Sequence, residues 1–225
     1  MTRTVKEPDI RRAELLDAAQ QLFYAKGYEH TSVQDIVDRV GVAKGTFYHY
    51  FGSKVELLDE LIERMANEGI ALMEPIALSE TLDATTKFLR LFDVIAAWKA
   101  QSKAFVLDIL RPLYSDDNTL LRQKLMAASL SHAIPLFTCI IRQGVEEGRF
   151  RTDYPDEIGE IVMQVLTTFS ESLVHLLIQE QPGADAFSIA SRRLMVSQDA
   201  VERLLGAAPG SLPFMEIEDL DPWFE

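Results

Sequence analysis

Apolar positions recur every three to four residues along most of this chain, the spacing that places side chains on one face of a helix. Leu15, Ala19, Leu22 and Phe23 form the inner face of a first helix from about Asp9 to Lys26, closed by Gly27. Val33, Ile36, Val37 and Val40 repeat at i, i+3, i+4 and i+7 in a second. Further helices are predicted at about 54–73, 80–100, 103–113, 117–147, 155–180 and 185–206. Pro75 is expected to stop the 54–73 helix and Pro135 to kink or break the 117–147 helix, since proline lacks the amide proton and crowds the preceding turn. No useful length alternates with a period of two, and no Asn-Gly hairpin signal occurs. The fold class is all-α.

The segment TSVQDIVDRVGVAKGTFYHYFGSK, Thr31 to Lys54, carries the chemistry. Thr31 and Ser32 offer hydroxyls to the free N–H groups of a helix start, with Asp35 near that positive end. Gly41 ends the helix, because glycine enters a left-handed turn without steric cost. Phe47 and Phe51, four apart, bury one side of a second short helix. Lys44, Thr46, Tyr48, His49 and Tyr50 are left for the exposed side and its margins. Hydroxyls, a lysine and phenols on a short helix suit the edge of DNA better than a protein core. Lys44, Gly45 and Thr46 are expected to face base edges, while Thr31, Ser32, Tyr48, His49, Tyr50 and Lys54 hold or flank phosphates.

On these residues the chain resembles the TetR/AcrR family of bacterial transcriptional regulators. The resemblance covers Arg11 to Leu58, with the opening helix RRAELLDAAQQLFYAKGY and the pattern set by Gly41, Gly45, Tyr48, Phe51 and Lys54. A weaker echo at GVEEGRFRTDYPDE, Gly144 to Glu157, is similar to the family's link between its seventh and eighth helices. Many relatives place a serine where Ala43 stands; Ala43 can neither cap the recognition helix nor touch a phosphate. The resemblance implies a three-helix helix-turn-helix head, about 1–52, and a larger ligand-binding and dimerisation domain, about 53–206. It also implies a homodimeric repressor of a palindromic operator, released by a small molecule of unknown identity.

The expected body has two kinds of apolar surface. In helix 155–180, Ile161, Val165, Phe169 and Leu173 belong to one stripe, continued by Leu194 and Val201 in the next helix. This stripe is either a thick internal core or, as the resemblance implies, the dimer interface, and the interface is the reading adopted. Met73, Phe88, Phe92, Trp98, Phe105 and Phe137, with Asp108 and His175 as polar groups, are candidates for a ligand site between helices. Ordinary core packing is the alternative for the aromatic residues.

Composition changes this picture in a few places. The net charge is −13, but residues 1–54 hold eight Lys/Arg against seven Asp/Glu, while the rest hold 14 against 28. The acidity therefore lies outside the head, and even the head is barely basic, implying few phosphate contacts. A single cysteine, Cys139, excludes an intrachain disulfide framework, provides no zinc cluster and fits a reducing cytoplasm. It reads as a buried, inert thiol. Ile161 to Ile178 is interrupted by Gln164, Ser170, Glu171 and His175, which argues against a membrane span, and no signal peptide is visible. There is no Gly-x-Ser-x-Gly, His-Glu-x-x-His or P-loop, so no enzyme, metal or cofactor is expected. The alternative function is a DNA-binding protein controlled by a protein partner, or one that organises DNA without an inducer. The tail 207–225 combines five acids with Leu212, Phe214, Met215, Ile217, Leu220, Trp223 and Phe224. It reads either as a mobile terminus or as a segment that docks on the body or on a partner subunit.

Overall fold

The computed structural model describes residues 8–99, 103–179 and 185–224, without the side chains of 8, 95–99 and 103–106. Among the described residues there is no strand. The helices are α1 (Pro8–Lys26), α2 (Val33–Val40), α3 (Lys44–Tyr50), α4 (Lys54–Ala77) and α5 (Ala84–Lys99). They continue with α6 (Lys103–Leu113), α7 (Thr119–Glu146), α8 (Ile158–Leu177), α9 (Ala186–Leu205) and α10 (Asp221–Phe224). Short 3₁₀ turns at Asp116–Asn118 and Ile217–Asp219 precede α7 and α10.

Prolines interrupt less than the sequence suggests. Pro75 lies inside α4, which runs on to Ala77 and closes with the Leu78 N–H donating to the Glu74 carbonyl at 3.0 Å. Pro75 removes the amide that would bond the Ala71 carbonyl, and the helix ends within one turn of it. Pro135 sits in the middle of α7, which nonetheless stays one helix from Thr119 to Glu146. Its flanks hold it: Ala133, Phe137, Ile140 and Ile141 are all buried. By length and hydropathy residues 116–146 could cross a membrane, but Leu121 and these four residues are spent in protein cores.

The chain divides into two compact units, Met1–Asn67 with Asp108–Ala128, and Glu68–Leu107 with Ser129–Glu225. This departs from the expected boundary at residue 52, and the reason lies in the core of unit 1. Leu57, Leu58 and Leu61 of α4 are fully buried with Leu15, Phe23, Ile36, Val37, Phe47 and Phe51. Leu113 and Leu121, from a distant stretch of chain, complete the same cluster. Each such side chain contributes about 1.5–3 kcal/mol of transfer free energy.

Asn118 ties that distant stretch in. Only 1% exposed, it accepts the Tyr28 N–H at 2.8 Å and donates to the carbonyls of Phe23 at 2.9 Å and Pro112 at 3.0 Å. The chain can come this close because residue 27 is glycine. At φ 87°, a Cβ there would lie 2.5 Å from that of Asp117.

Unit 2 has its own core. Phe88, Leu91, Phe137, Ile140, Ile141, Val162, Phe169, Leu194 and Val201 are buried together. The tail belongs to it, since Leu212, Phe214 and Leu220 are buried at 0–5% exposure in the same cluster. Cys139, expected to be buried, is exposed. It lies on an open groove along α7 with Ile134, Pro135, Thr138 and Arg142.

Candidate nucleic-acid interface

The interface candidate is built on α2 and α3. Ser32 caps α2: its Oγ accepts the Asp35 N–H at 3.1 Å, and the Asp35 carboxylate accepts the Ser32 N–H at 2.7 Å, completing a reciprocal box. Gly41, at φ 74° and ψ 40°, closes the helix, its N–H bonded to the Asp38 and Val37 carbonyls. Three residues later α3 begins. Ala43 occupies its N-cap with no side-chain hydrogen bond, and the Thr46 N–H reaches the Ala43 carbonyl at 2.8 Å instead. Ile36, Val37, Phe47 and Phe51, all 0–1% exposed, lock the two helices together. Rigid packing of this kind holds the outward side of α3 in one orientation, as base-edge readout requires.

On that outward side Lys44, Gly45, Tyr48 and His49 are exposed, while Thr46 and Tyr50 are half-buried. A Cβ added at Gly45 would meet nothing within 4 Å, so the backbone there is open to close approach. The Tyr48 ring, 51% exposed, leans edge-on against Phe47 at 5.3 Å, leaving its hydroxyl end outward.

Two of the expected DNA-facing residues lie elsewhere. Thr31 is 1% exposed and its hydroxyl donates to the Gly27 carbonyl at 2.7 Å; it closes the turn after α1 and is not available to a phosphate. Lys54 points inward. Its Nζ donates to the carbonyls of Tyr28 at 2.9 Å and Thr31 at 3.0 Å and sits 4.0 Å from the centre of the Tyr28 ring. Burial lowers its pKa from the ordinary 10.5, the direction expected when a cation is taken from water. Both carbonyls lie where the chain turns between α1 and α2, that of Tyr28 also accepting the Thr31 N–H at 3.2 Å, so a lysine at the start of α4 fastens that turn. Sequence spacing shows the lysine but not these acceptors.

The cations of the head are largely committed. Arg11 pairs with Glu14 at 2.6 Å, Arg12 with Glu60 at 2.5 Å and Lys26 with Asp35 at 2.9 Å. The Asp35 carboxyl is held well below its ordinary 3.8, first by the Ser32 hydroxyl, then by Lys26 and the Ser32 amide. Its folded pKa lies below the unfolded one, so its stabilisation is complete above about pH 4 and is lost as the pH falls further. Thermal melts should therefore show Asp35→Asn less stable than the parent at neutral pH, and losing less between about pH 4 and pH 2. Parallel curves for the two proteins over that range would contradict this role.

The remaining sequence candidates fall in unit 2. Phe88, Phe92 and Phe137 do converge, with ring centroids 5.4 Å, 5.7 Å and 6.5 Å apart, and Met73 packs against the same core. Asp108 is exposed and belongs to unit 1, and His175 is exposed on α8, so neither is buried with the rings. The side chains of Trp98 and Phe105 lie outside the described residues. Phe169, expected at the dimer interface, and Phe214, expected only in the tail, join the rings: Phe214 stacks on Phe92 at 4.7 Å and 26°, and meets Phe169 edge-on at 6.1 Å. The apolar run in the tail was the signal for Phe214. Of the expected interface residues, Phe169, Leu173, Leu194 and Val201 are 0–6% exposed. They are consumed within the chain, where α8 packs on α9. Ile161 is 50% exposed and Val165 half-buried.

The arrangement is that of a helix-turn-helix DNA-binding transcriptional regulator. Two family models agree with it: "Bacterial regulatory proteins, tetR family" matches residues 15–61, and "Tetracyclin repressor-like, C-terminal domain" matches residues 107–176. The chain is 30% identical over 164 residues to the transcriptional repressor KstR2 of Mycobacterium tuberculosis, covering 68% of this chain and 76% of that one. Against KstR2 of Rhodococcus jostii it is 29% identical over 159 residues, 66% of this chain and 72% of the relative. Among solved structures, the SmeT–triclosan complex superposes with a TM-score of 0.63 at 20% identity, covering 90% of this chain and 94% of that one. FadR of Bacillus subtilis in complex with stearoyl-CoA gives 0.59 at 20% identity, with 87% and 98% covered. The chain belongs to the TetR family of transcriptional regulators.

Proposed function

We propose that the protein is a cytoplasmic homodimeric repressor that reads a palindromic operator through α3 and is released by an apolar small molecule bound in unit 2. The observation that carries the DNA part is the outward side of α3, with Lys44, Tyr48 and His49 exposed on a helix whose other side buries Phe47 completely. In this reading Lys44 and Thr46 meet base edges, Gly45 lets the backbone approach, and Tyr48, His49 and Tyr50 contact phosphates. A two-fold dimer would present two such helices to half-sites about 34–36 Å apart. The outer face of α8 and α9 suits that pairing, since it exposes Ile161 and Val196 at 50% and 68%. The ring cluster of unit 2 supports an apolar ligand. SmeT was solved with triclosan and FadR with stearoyl-CoA; the first carries apolar rings, the second an apolar acyl chain on a charged coenzyme A group. The helices α4, α6 and α7 each have residues in both units, which makes them the candidates for transmission. A coupling of about 1–3 kcal/mol between ligand and DNA would be usual.

The experiment is DNA binding by paired variants on an operator selected from random duplexes. Lys44→Ala should lose about 1–3 kcal/mol on the selected site and much less on random DNA. Lys54→Ala should instead lower the melting temperature, because the Thr31 carbonyl loses its donor and the Tyr28 carbonyl one of two, while the salt dependence of binding stays unchanged. Equal losses of Lys44→Ala on specific and random DNA would remove Lys44 from base readout.

A further inference from the structure

The tail closes the place where the rings of unit 2 gather. Phe214 is 5% exposed, stacked on Phe92 and edge-on to Phe169, and Phe92 in turn meets Phe88 and Phe137. Phe214 is a ring without a polar atom, seated against the rings of Phe92 and Phe169.

The segment carrying Phe214 is fastened mainly at its root. Glu202 accepts the N–H groups of Gly210 and Leu212 at 2.8 Å and 2.9 Å, and Gln198 donates to the Met215 carbonyl at 2.7 Å. Further along, the hydrogen bonds of the described residues run inside the segment, Glu216 with Asp219, Leu220 with Ile217 and Trp223 with Leu220. What holds this part to the body is apolar contact, Leu220 at 1% exposure and Phe224 edge-on to Phe187 at 6.1 Å. At the root Gly206 and Gly210 both have positive φ, and Pro213 follows. A groove of about 200 Å³ lies beside the root, lined by Met195, Gln198, Asp199, Glu202, Gly210 and Pro213. Moving such a segment breaks few directional bonds, and an apolar ring of another molecule can replace each contact that Phe214 makes.

We propose that Leu212–Phe224 is an internal occupant of the ring-lined site of unit 2, and that an uncharged, ring-bearing apolar ligand and this segment exclude one another. The proposal rests on the reading of unit 2 as the ligand-bearing unit. Occupancy then has a cost set by the tail, and the ligand that binds is one able to displace a phenylalanine ring. The same event exposes the apolar face of the tail, beside four acidic residues that already face solvent.

The test uses the full chain and the uncharged fluorescent probe N-phenyl-1-naphthylamine. In the parent protein, saturating probe should speed chymotryptic cleavage within 212–224 at least fivefold while the melting temperature does not fall. Phe214→Ala should bind the probe at least tenfold more tightly than the parent, with Phe214→Leu in between. If Phe214→Ala does not fold, the parent's cleavage rate decides. A bound probe that leaves tail cleavage unchanged overturns the proposal, and so does equal affinity of parent and Phe214→Ala, or binding to neither. Operator DNA separates the two readings. A probe that ejects the tail yet leaves operator affinity unaltered upholds the internal occupant and removes the ligand-responsive repressor.

Discussion

Leu194→Asp is expected to unfold unit 2, whereas Val196→Asp, two residues away, should leave it folded and produce monomers. Leu194 has no exposed surface and sits among the buried residues that α8 and α9 share. Its replacement removes a buried leucine, worth about 2–5 kcal/mol, and leaves a carboxylate without a counter-charge in an apolar core. Together these rival the whole stability of a typical domain, about 5–15 kcal/mol. Val196 is 68% exposed and Ile161 50%, so a charge at either should change the stability of one chain by less than about 0.5 kcal/mol. Circular dichroism reports the first effect and sedimentation the second. A folded, dimeric Val196→Asp that still binds operator DNA would move the interface away from this face.

Asn118→Ala should cost unit 1 about 3 kcal/mol and weaken DNA binding, although residue 118 is remote in sequence from α3. The loss leaves the Tyr28 N–H buried without its acceptor, an omission that costs about 1–3 kcal/mol, and vacates the space of the side chain. The Phe23 carbonyl keeps the Gly27 N–H at 2.9 Å, so it adds less. The turn from Gly27 to Ser32 leads into the cap of α2, and loosening it frees the pair of helices that presents Lys44. Asp117→Ala is the control. Its partner His30 is 66% exposed and Asp117 51%, and a solvated pair of this kind is worth at most about 1 kcal/mol. Equal melting temperatures for the two variants would show that residues 116–118 merely touch unit 1.

The helix-turn-helix was legible because its signals are local. The Ser32 cap, the left-handed Gly41 and the buried pair Phe47 and Phe51 each act within four residues and stand as expected, and Asp35 at the helix start adds a reciprocal bond to the Ser32 N–H. The errors arose where a residue's role depends on distant chain. Thr31 and Lys54 have the chemistry of phosphate contacts, but turn carbonyls of residues 27, 28 and 31 claim them first. The stripe through Phe169, Leu173, Leu194 and Val201 was apolar as read, yet periodicity cannot say whether a stripe meets its own chain or a second copy. Here α8 and α9 bury it against each other.

By itself the sequence determined the all-α class, the helix-turn-helix with its capped first helix, the family and the near-neutral head, since these follow from spacing, capping chemistry and composition. Tertiary structure alone decided that residues 108–128 complete the head, that Cys139 is exposed, that α7 continues through Pro135, and that Phe214 occupies the ring cluster of unit 2. The physical reason is common to all four. A helical period reports which side of a helix is apolar, while the choice of the surface that covers it is made by packing between segments far apart in the chain.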